Sequence, residues 1–461
     1  MSGIYQILNT AKDAFLASQI SMEVTGSNIA NASTPGYVRQ RAVLAAKSPG
    51  EVAGNVTQSG VEITTIERLY DRFIEFQMVD QSSQVGDASI RKETFDRIEA
   101  IFNETDGGGL NDMMNQFWKA WEDLSANPTG QVERTALANA ADSLATMFRE
   151  SAGELYSIQS DLNTQIEATV TQLNGTLSDI ADLNDKIVEG VSGGVNVNNL
   201  LDQRSELLKK TAGLIDIQYV EETGGAVNVF TADGRALVQG NASWQLSVRD
   251  NGAGFYDVVY ADNPTVAIND AIGGGKLSGM LGMRDTTVAG YLTELDELAG
   301  TLINTVNAQH ASGYDNYRNV GGNFFEPLGS TGARDMHVAD VILDDPNRIA
   351  AAATVNADGD NARAISGIKD DPVLMSGSLS TPGDFYAALV GQIGQDVAEA
   401  GRTATHEASV MTQMTNAQEQ RSGVSTDEEM MNLIKFQMGY SAAAKLASAA
   451  DEMLQSLLEL V

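Results

Sequence analysis

The side chains that could do chemistry in this sequence are few, and their spacing suits neither catalysis nor metal binding. The three histidines are His310, His337 and His406, and none has a second histidine three or four residues away, as two imidazole ligands on one helix would require. The sequence contains no cysteine, which excludes disulfides, iron–sulfur clusters and thiolate catalysis. We therefore expect each histidine to be a surface or loop residue.

Two short segments resemble ligand-binding loops but lack residues that such loops need. Residues 273–276 read GGGK, but Leu277 follows where a phosphate loop has Ser or Thr. Residues 356–367 alternate amide and acidic side chains as a calcium loop does, but Gly367 stands where the bidentate Glu would be. With 62 acidic residues, carboxylate pairs suited to glycoside cleavage occur by chance and none can be selected. The sequence therefore predicts no enzyme, no cofactor and no metal site.

The charge is strongly acidic and unevenly distributed. The net charge of −33 would repel nucleic acids and anionic lipid surfaces, which disfavours both as partners. Residues 1–42 contain three basic and two acidic side chains, a net charge of +1. Residues 425–461 contain two basic and six acidic side chains, a net charge of −4. The remaining net charge of −30 therefore lies on residues 43–424. The ends are thus nearly neutral and apolar, and we expect the acidic middle to face solvent.

The sequence has no membrane or leader signal that we recognise. No apolar stretch reaches the 18 or more residues that a spanning helix needs, so we expect no membrane insertion. Residues 1–20 carry a single Lys and interrupted apolar residues, unlike a secretory signal peptide. If the protein leaves the cell, we expect a route without a cleaved leader.

Both ends of the sequence carry apolar residues at alternating spacings of three and four, the pattern of a coiled-coil seam. The N-terminal seam consists of Ile4, Leu8, Ala11, Phe15, Met22 and Ile29. The C-terminal seam consists of Leu433, Phe436, Tyr440, Ala443, Ala447, Ala450, Leu454, Leu457 and Val461. We predict that the two ends pair with each other and with other copies of the protein. The alternative is a C-terminal helix that docks on its own domain.

The last helix has a recognisable start. Ser425 with Glu428 fits a capping box, and Thr426 with Glu429 is the alternative pair. The acidic residues there also favour the positive end of the helix dipole. We therefore expect the C-terminal helix to begin at about residue 425.

The middle of the sequence is mostly helical around one β-rich stretch. Helical periodicity covers residues 90–102, 110–124, 131–189, about 200–208, 277–306 and 384–421. The 131–189 stretch contains no proline, which predicts a rod-like helical bundle. Between residues 214 and 272 the apolar period changes to two, with turn residues between the strands. Residues 311–383 are rich in loop residues.

These elements predict a mainly α, elongated, multi-domain fold with a β insert. The predicted domains are a terminal coiled coil (1–75 with 422–461), a long helical-bundle rod (76–213 with 273–421) and a small outer β domain (214–272). Because the first and last segments belong together, the chain must double back. We therefore expect the β domain to lie farthest from the termini.

Residues 25–37, TGSNIANASTPGY, close the first helix with turn chemistry, since Pro35 presets φ and Gly36 permits positive φ. This string resembles the N-terminal signature of flagellar rod, hook and hook-associated proteins. Its motif residues are Asn28, Asn31, Thr34, Pro35, Gly36 and Tyr37. Together with residues 199–204, 307–310, 323–325 and 423–440, it makes the whole chain resemble the flagellar hook-associated protein 1 family.

The resemblance implies a structural role at the hook–filament junction. In that family the terminal helices line the inner tube of the flagellar axis, the rod domain forms the next shell and the β domain faces outward. The implied partners are hook protein, the filament-side junction protein, other copies of the chain and the type III export apparatus. The implied location is the extracellular flagellum, with a cytoplasmic stage before export.

The resemblance also implies a cytoplasmic export chaperone that covers the apolar C-terminal helix before assembly. A groove that accepts an amphipathic helix would hide such a surface. The candidate contact residues are Tyr440, Leu446, Met453, Leu454 and Leu458.

Two alternatives stay open at this point. The first is another axial protein of the flagellum, such as a hook or filament-side junction protein. The second is a cell-wall hydrolase carried on the flagellum, which would need a carboxylate pair in a cleft.

Overall fold

The computed structural model describes residues 2–47, 50–52, 55–57, 60–103, 108–329, 331–356 and 358–458. The described part of the chain is mainly helical, at 66%, which confirms the predicted fold class. The helices are α1 (Ser2–Ala30), α2 (Arg72–Ile101), α3 (Leu110–Ala126), α4 (Gln131–Ser192), α5 (Asn198–Leu214), α6 (Gly275–Gly282), α7 (Ala289–His310), α8 (Asp340–Asp344), α9 (Asp360–Gly367), α10 (Pro382–Ser422) and α11 (Thr426–Leu458).

The strands are short and antiparallel. They are β1 (Gln40–Ala46), β2 (Gly50–Val52), β3 (Asn55–Thr57), β4 (Val61–Arg68), β5 (Ile217–Glu221), β6 (Val227–Thr231), β7 (Ala236–Gln239), β8 (Ala242–Ser243), β9 (Leu246–Asp250), β10 (Tyr256–Tyr260), β11 (Asn263–Ala267), β12 (Val373–Met375) and β13 (Ser378–Ser380). Strands β5 to β8 form one sheet and β9 to β11 a second, and all seven lie within the region predicted to be β-rich.

Helix α4 is the scaffold of the molecule. Its 62 residues span about 93 Å at 1.5 Å per residue. Buried positions continue along it from Leu137 to Ile187, because apolar residues recur every three or four positions on one face. At its N-terminal half the core is aromatic, with Phe117 and Trp121 of α3 packed against Phe324.

Three asparagines on α4, at positions 163, 174 and 184, attach the two β sheets to the rod. Spacings of 11 and 10 residues are close to three helical turns, so the three side chains share one face. Asn163 Oδ1 accepts the backbone N–H of Tyr256, at 2.7 Å. Asn174 exchanges two hydrogen bonds with the backbone of Leu246, at 2.7 and 2.8 Å. Each of these amides thus attaches one strand to α4 through hydrogen bonds to its backbone.

Asn184 makes the most complete of these attachments. Its Nδ2 group donates to the backbone carbonyls of Val227 and Gly240, at 2.7 Å each. Its Oδ1 atom accepts from the backbone N–H of Val227 at 3.0 Å and from Arg204 at 3.1 Å. Both donors and both acceptor sites of this buried amide are therefore satisfied.

A π-helical turn between α6 and α7 adds a further attachment. The turn spans Met283–Val288 and buries Arg284. Arg284 donates to Asn163 Oδ1 at 2.8 Å and to the backbone carbonyl of Tyr256 at 2.9 Å, and it pairs with Asp285 at 2.6 Å. The widened turn thus directs a charged side chain between the rod and the second sheet.

The β insert lies nearer to the chain ends than the sequence analysis expected. Phe76, in the first turns of α2, stacks on Tyr219 of β5 with ring centroids 4.7 Å apart. Arg72, which begins α2, lies 3.4 Å from Glu221. The expectation was wrong because α5 turns back along α4 before the insert begins. The other end of the rod is formed by α3 and by loops around Pro346, which Arg134 of α4 contacts.

Two further elements differ from the sequence analysis. Helix α2 begins at Arg72 rather than near residue 90, because Asp71 caps it by accepting the N–H groups of Phe73 and Ile74. Buried Glu75 and Gln81 interrupt the apolar pattern of its first half, so periodicity alone missed it. The antiparallel pair of β1 and β4 was not predicted either.

His310 is a core residue, which corrects the expectation of a surface or loop histidine. It is fully buried at the end of α7. Its Nε2 accepts the backbone N–H of Ala350 at 2.8 Å, so Nδ1 carries the proton and donates to the carbonyl of Gly322 at 2.7 Å. Burial lowers the pKa of His310 to about 4, and the bond to Gly322 opposes that shift.

We expect His310 to make the protein less stable in mild acid. Its folded-state pKa of about 4 lies below the unfolded value near 6.5, so the stabilisation is complete above pH 6.5 and is lost as pH falls through 4. The loss should reach about 3 kcal/mol at low pH. Urea unfolding between pH 7 and pH 4 would measure it. His310→Gln should flatten this part of the profile, whereas the exposed control His337→Gln should not.

We expect Asn184→Ala to lower the free energy of unfolding by at least about 2 kcal/mol, because buried backbone groups of Val227 and Gly240 lose their partner. Urea unfolding followed by tryptophan fluorescence or circular dichroism would measure the change. The matched control is Asn241→Ala, whose exposed side chain makes one bond of 3.4 Å to Asp185 and should cost less than about 0.5 kcal/mol. Equal midpoints for the two variants would contradict this account.

Candidate functional site

The two terminal helices pair with each other, and this pair is the candidate functional site. Helices α1 and α11 run antiparallel. Near the middle of α1, Phe15 lies against Tyr440, with ring centroids 4.2 Å apart. At the C-terminal end of α1, Asn28 contacts Glu429 in the first turn of α11. The described seam side chains are buried or half-buried: Ile4, Leu8, Ala11, Phe15, Met22, Ile29, Leu433, Phe436, Tyr440, Ala443, Ala447, Ala450 and Leu454. The side chain of Leu457 and all of Val461 lie outside the described residues.

Large apolar side chains outside the seam remain exposed on both helices. Met438 is 68% exposed and Ile434 is 48% exposed. The other exposed apolar side chains of the two helices are Tyr5, Leu16, Met430, Met431, Leu446 and Met453. These eight residues are called the outward stripe below. Of the predicted chaperone contacts, Leu446 and Met453 belong to this stripe, Tyr440 and Leu454 lie in the seam, and the side chain of Leu458 lies outside the described residues.

Asn28 is the centre of the network that anchors the terminal pair. Its Nδ2 group donates to the Glu429 carboxylate and to the backbone carbonyl of Gln40, at 2.9 Å each. Its Oδ1 atom accepts from the Tyr37 hydroxyl at 2.9 Å and from the backbone N–H of Gln40 at 3.0 Å. One buried amide thus joins α1, the loop after it, β1 and α11.

Arg39 supplies the positive charge that the buried Glu429 carboxylate needs. Its Nε and Nη2 atoms lie 2.9 and 2.6 Å from Glu429 Oε1, and its Nη1 atom lies 3.0 Å from Glu428. The backbone N–H of Arg39 also donates to the carbonyl of Ser422, at 2.9 Å. The start of α11 is therefore held by both a charge pair and the backbone. Ser425 is the N-cap, since its hydroxyl lies 3.4 Å from the N–H of Glu428.

The loop after α1, residues 31–37, carries most of the motif and is called the motif loop below. It docks on α5 through Asp202. The Asp202 carboxylate accepts the backbone N–H of Val38 at 3.2 Å and lies 2.7 Å from Arg68 of β4. Burial raises the pKa of Asp202, and Arg68 offsets part of that rise. Burial also raises the pKa of Tyr37, so its hydroxyl stays protonated and keeps its donor role toward Asn28. Sequence reasoning missed Asp202 as a contact of this loop, although it lies in the 199–204 segment that carried the resemblance.

The other motif residues shape the loop. Asn31 donates to the carbonyl of Ser27 at 3.0 Å, and Thr34 donates to Asn31 at 3.3 Å. Gly36 adopts φ +77°, and a Cβ added there would lie 2.3 Å from Cγ of Glu206 in α5. Pro35 is exposed at the turn. A cleft of about 600 Å³ separates this loop from α4 and is lined by Asp179, Asp182 and Lys186 among others.

The segments that resembled ligand loops have structural roles. Gly275 has φ +75° and lies against the backbone of Ile215, where a Cβ would not fit. Asp358 accepts the backbone N–H groups of Ala353 and Thr354, and its bond to the Thr354 hydroxyl helps to lower its pKa to about 2. Over the residues that the structure describes, no group of three or more His, Asp or Glu side chains is placed to hold a metal ion. No described helix is long and apolar enough to cross a membrane.

Comparison with known families matches both the middle and the ends of the chain. The model described as flagellar hook-associated protein FlgK helical domain matches residues 95–325, half of the chain. The model for flagella basal body rod protein matches residues 8–37, and the model for the flagellar basal body rod FlgEFG protein C-terminal matches residues 419–460. The two short matches coincide with the segments that form the terminal pair.

Individual relatives match over nearly the full length. Flagellar hook-associated protein 1 of Bacillus subtilis is 28% identical over 500 residues, covering 99% of this chain and 98% of the relative. Flagellar hook-associated protein 1 of Escherichia coli is 25% identical, covering 98% and 99%. The solved structure of the flagellar hook junction protein FlgK from Burkholderia pseudomallei shares the fold at a TM-score of 0.67 and 17% identity, covering 74% of this chain and 99% of that one.

We expect Gly36→Ala to destabilise the docking of the motif loop. Positive φ costs a non-glycine residue about 1–2 kcal/mol, and the contact with Glu206 adds to this. Urea unfolding would measure the total. In the double variant with Glu206→Ala, the protein should regain the stability lost to the close contact but not the stability lost to positive φ. Glu206→Ala alone is the control. If the double variant were no more stable than Gly36→Ala, the close contact would not contribute.

Proposed function

The chain belongs to the flagellar hook-associated protein FlgK family, and from this premise we propose that it joins hook to filament by packing its paired terminal helices against other axial subunits. The family is a structural one, and the full-length relatives are named hook-associated protein 1 rather than hook protein or hydrolase. The mechanism proposed is templated helix packing without catalysis.

The outward stripe is the observation that carries this proposal. A single chain leaves Ile434, Met438 and their neighbours exposed on helices whose seam is already filled by the intrachain partner. Several large apolar side chains exposed on one helix pair are typical of a protein interface. The terminal segments are also nearly neutral whereas the middle carries −30, so charge repulsion between copies would be weakest at the ends.

We propose an arrangement in which the terminal pair lies toward the axis and the acidic rod and β insert lie outside it. Hook protein would contact the terminal pair on one side and the filament-side junction protein would contact it on the other. Other copies of the chain would contact it laterally. The assembled location would be the extracellular flagellum. Before that, the chain would pass from the cytoplasm through the type III export apparatus.

An export chaperone would cover the C-terminal helix before assembly. The exposed Leu446 and Met453 support this, because they offer an apolar surface without displacing α1. Tyr440 and Leu454 would become available only if α11 left the seam, since both are half-buried in the described pair. The proposed contacts therefore fall into two sets that differ in whether the terminal pair must open.

We expect the double change Ile434→Asp and Met438→Asp to prevent attachment of filament to hook while leaving the folded monomer intact. Both side chains are exposed, so the charges cost little in the single chain but would be buried unpaired at a subunit interface. Motility, electron microscopy of hooks and urea unfolding of the purified chain would report the two effects separately. Gln437→Asp, at an exposed polar position of the same helix, is the control. Normal filaments in the double variant would contradict the proposed interface.

A further inference from the structure

We propose that Asn28 and Glu429 form a register lock, a buried polar pair that fixes the longitudinal alignment of α11 on α1. Both residues are nearly inaccessible, at 1% and 2% exposure. They lie at one end of the antiparallel pair, beyond the aromatic contact of Phe15 with Tyr440. This inference concerns the folding of one chain and does not depend on where that chain assembles.

The apolar seam alone specifies the alignment weakly. Ala443, Ala447 and Ala450 present similar small side chains at successive seam positions of α11, and α1 also carries small buried residues, Ala11 and Ala17. Because a seam repeats every seven residues, sliding α11 by one heptad places seam against seam again. Because the side chains are small and similar, the packing between the two seams changes little when α11 slides by one heptad.

The polar pair removes that ambiguity. Asn28 uses its amide completely, with bonds to Glu429, to the backbone of Gln40 and to the Tyr37 hydroxyl. If α11 slid by one heptad toward its own N-terminus, Phe436 would take the place of Glu429. The Asn28 amide would then lose an acceptor in a buried position, and Arg39 would lose a carboxylate.

Fixed elements hold both halves of the lock. Gln40 belongs to β1, and Tyr37 belongs to the loop docked on α5, so Asn28 cannot follow a sliding partner. Arg39 binds both the Glu429 carboxylate and the backbone of Ser422, just before α11. Glu428 is the exposed member of the cluster, and its contact with Arg39 should contribute little to the alignment.

Cysteine cross-linking can test the lock cleanly because the natural sequence contains no cysteine. Ser18→Cys with Gly439→Cys reports the native alignment, since a Cβ at position 439 would lie 3.1 Å from Ser18 Oγ. Ser18→Cys with Leu446→Cys reports the alignment shifted by one heptad. Each pair is oxidised in the purified full-length chain, and the cross-linked fraction is read from gel mobility.

We expect the native pair to exceed the shifted pair by more than about tenfold with Asn28 and Glu429 present, and by about threefold or less after Asn28→Leu with Glu429→Leu. Glu429→Gln keeps an acceptor for Asn28 and should retain most of the preference. Ala443→Gly, which loosens the seam without touching the lock, should lower both yields and leave their ratio unchanged.

Three results would overturn the proposal. The first is an unchanged ratio in the double Leu variant, and the second is the absence of the native cross-link in the unaltered background. The third is a native cross-link that joins two chains instead of one, because the lock would then select a second copy. Loss of filament attachment would bear on the proposed function and leave this measurement unaffected.

Discussion

The hydrogen bond between Asn28 and the Glu429 carboxylate is the interaction on which the arrangement of the terminal helices depends. It connects residues 401 positions apart and lies where α1, β1, the motif loop and α11 meet. The buried Glu429 carboxylate is stabilised there by the charge of Arg39 and by the hydrogen bond from Asn28. This meeting point also explains the turn chemistry of residues 31–37, because that loop must bring Tyr37 and Arg39 back to the C-terminal end of α1.

The rod and the terminal pair are stabilised by different means. The rod has a continuous apolar core along α4, and it holds its β insert through amide side chains at positions 163, 174 and 184. The terminal pair has a narrow seam with many alanines and takes its orientation from polar contacts. A pair of this kind can leave apolar surface exposed for other subunits, whereas most apolar residues of α4 are buried in the core of the rod. The acidic surface of the middle segment fits a solvent-facing rod.

Much of the secondary structure followed from local pattern, and the exceptions share a physical cause. The long helix was predicted because apolar residues recur without proline across residues 131–189, and α4 covers that range. The first half of α2 was missed because buried Glu75 and Gln81 occupy core-facing positions, and their stability depends on contacts with α10 and α5. The same holds for His310, which periodicity cannot distinguish from a surface residue. Its burial depends on Gly322 and Ala350, which are remote in sequence.

The sequence by itself determined the chemical character of this protein: no cysteine chemistry, neutral apolar ends around an acidic middle, two seams that need partners and a turn motif typical of flagellar axial proteins. These properties are local or additive, so composition and spacing are sufficient to read them. Tertiary structure alone decided which side chains meet. It placed Glu429 against Asn28, Asp202 against Val38, and the β insert beside the start of α2 rather than far from the chain ends. Hydrogen-bond partners distant in sequence leave no periodic trace, because each depends on how the helices turn back on one another.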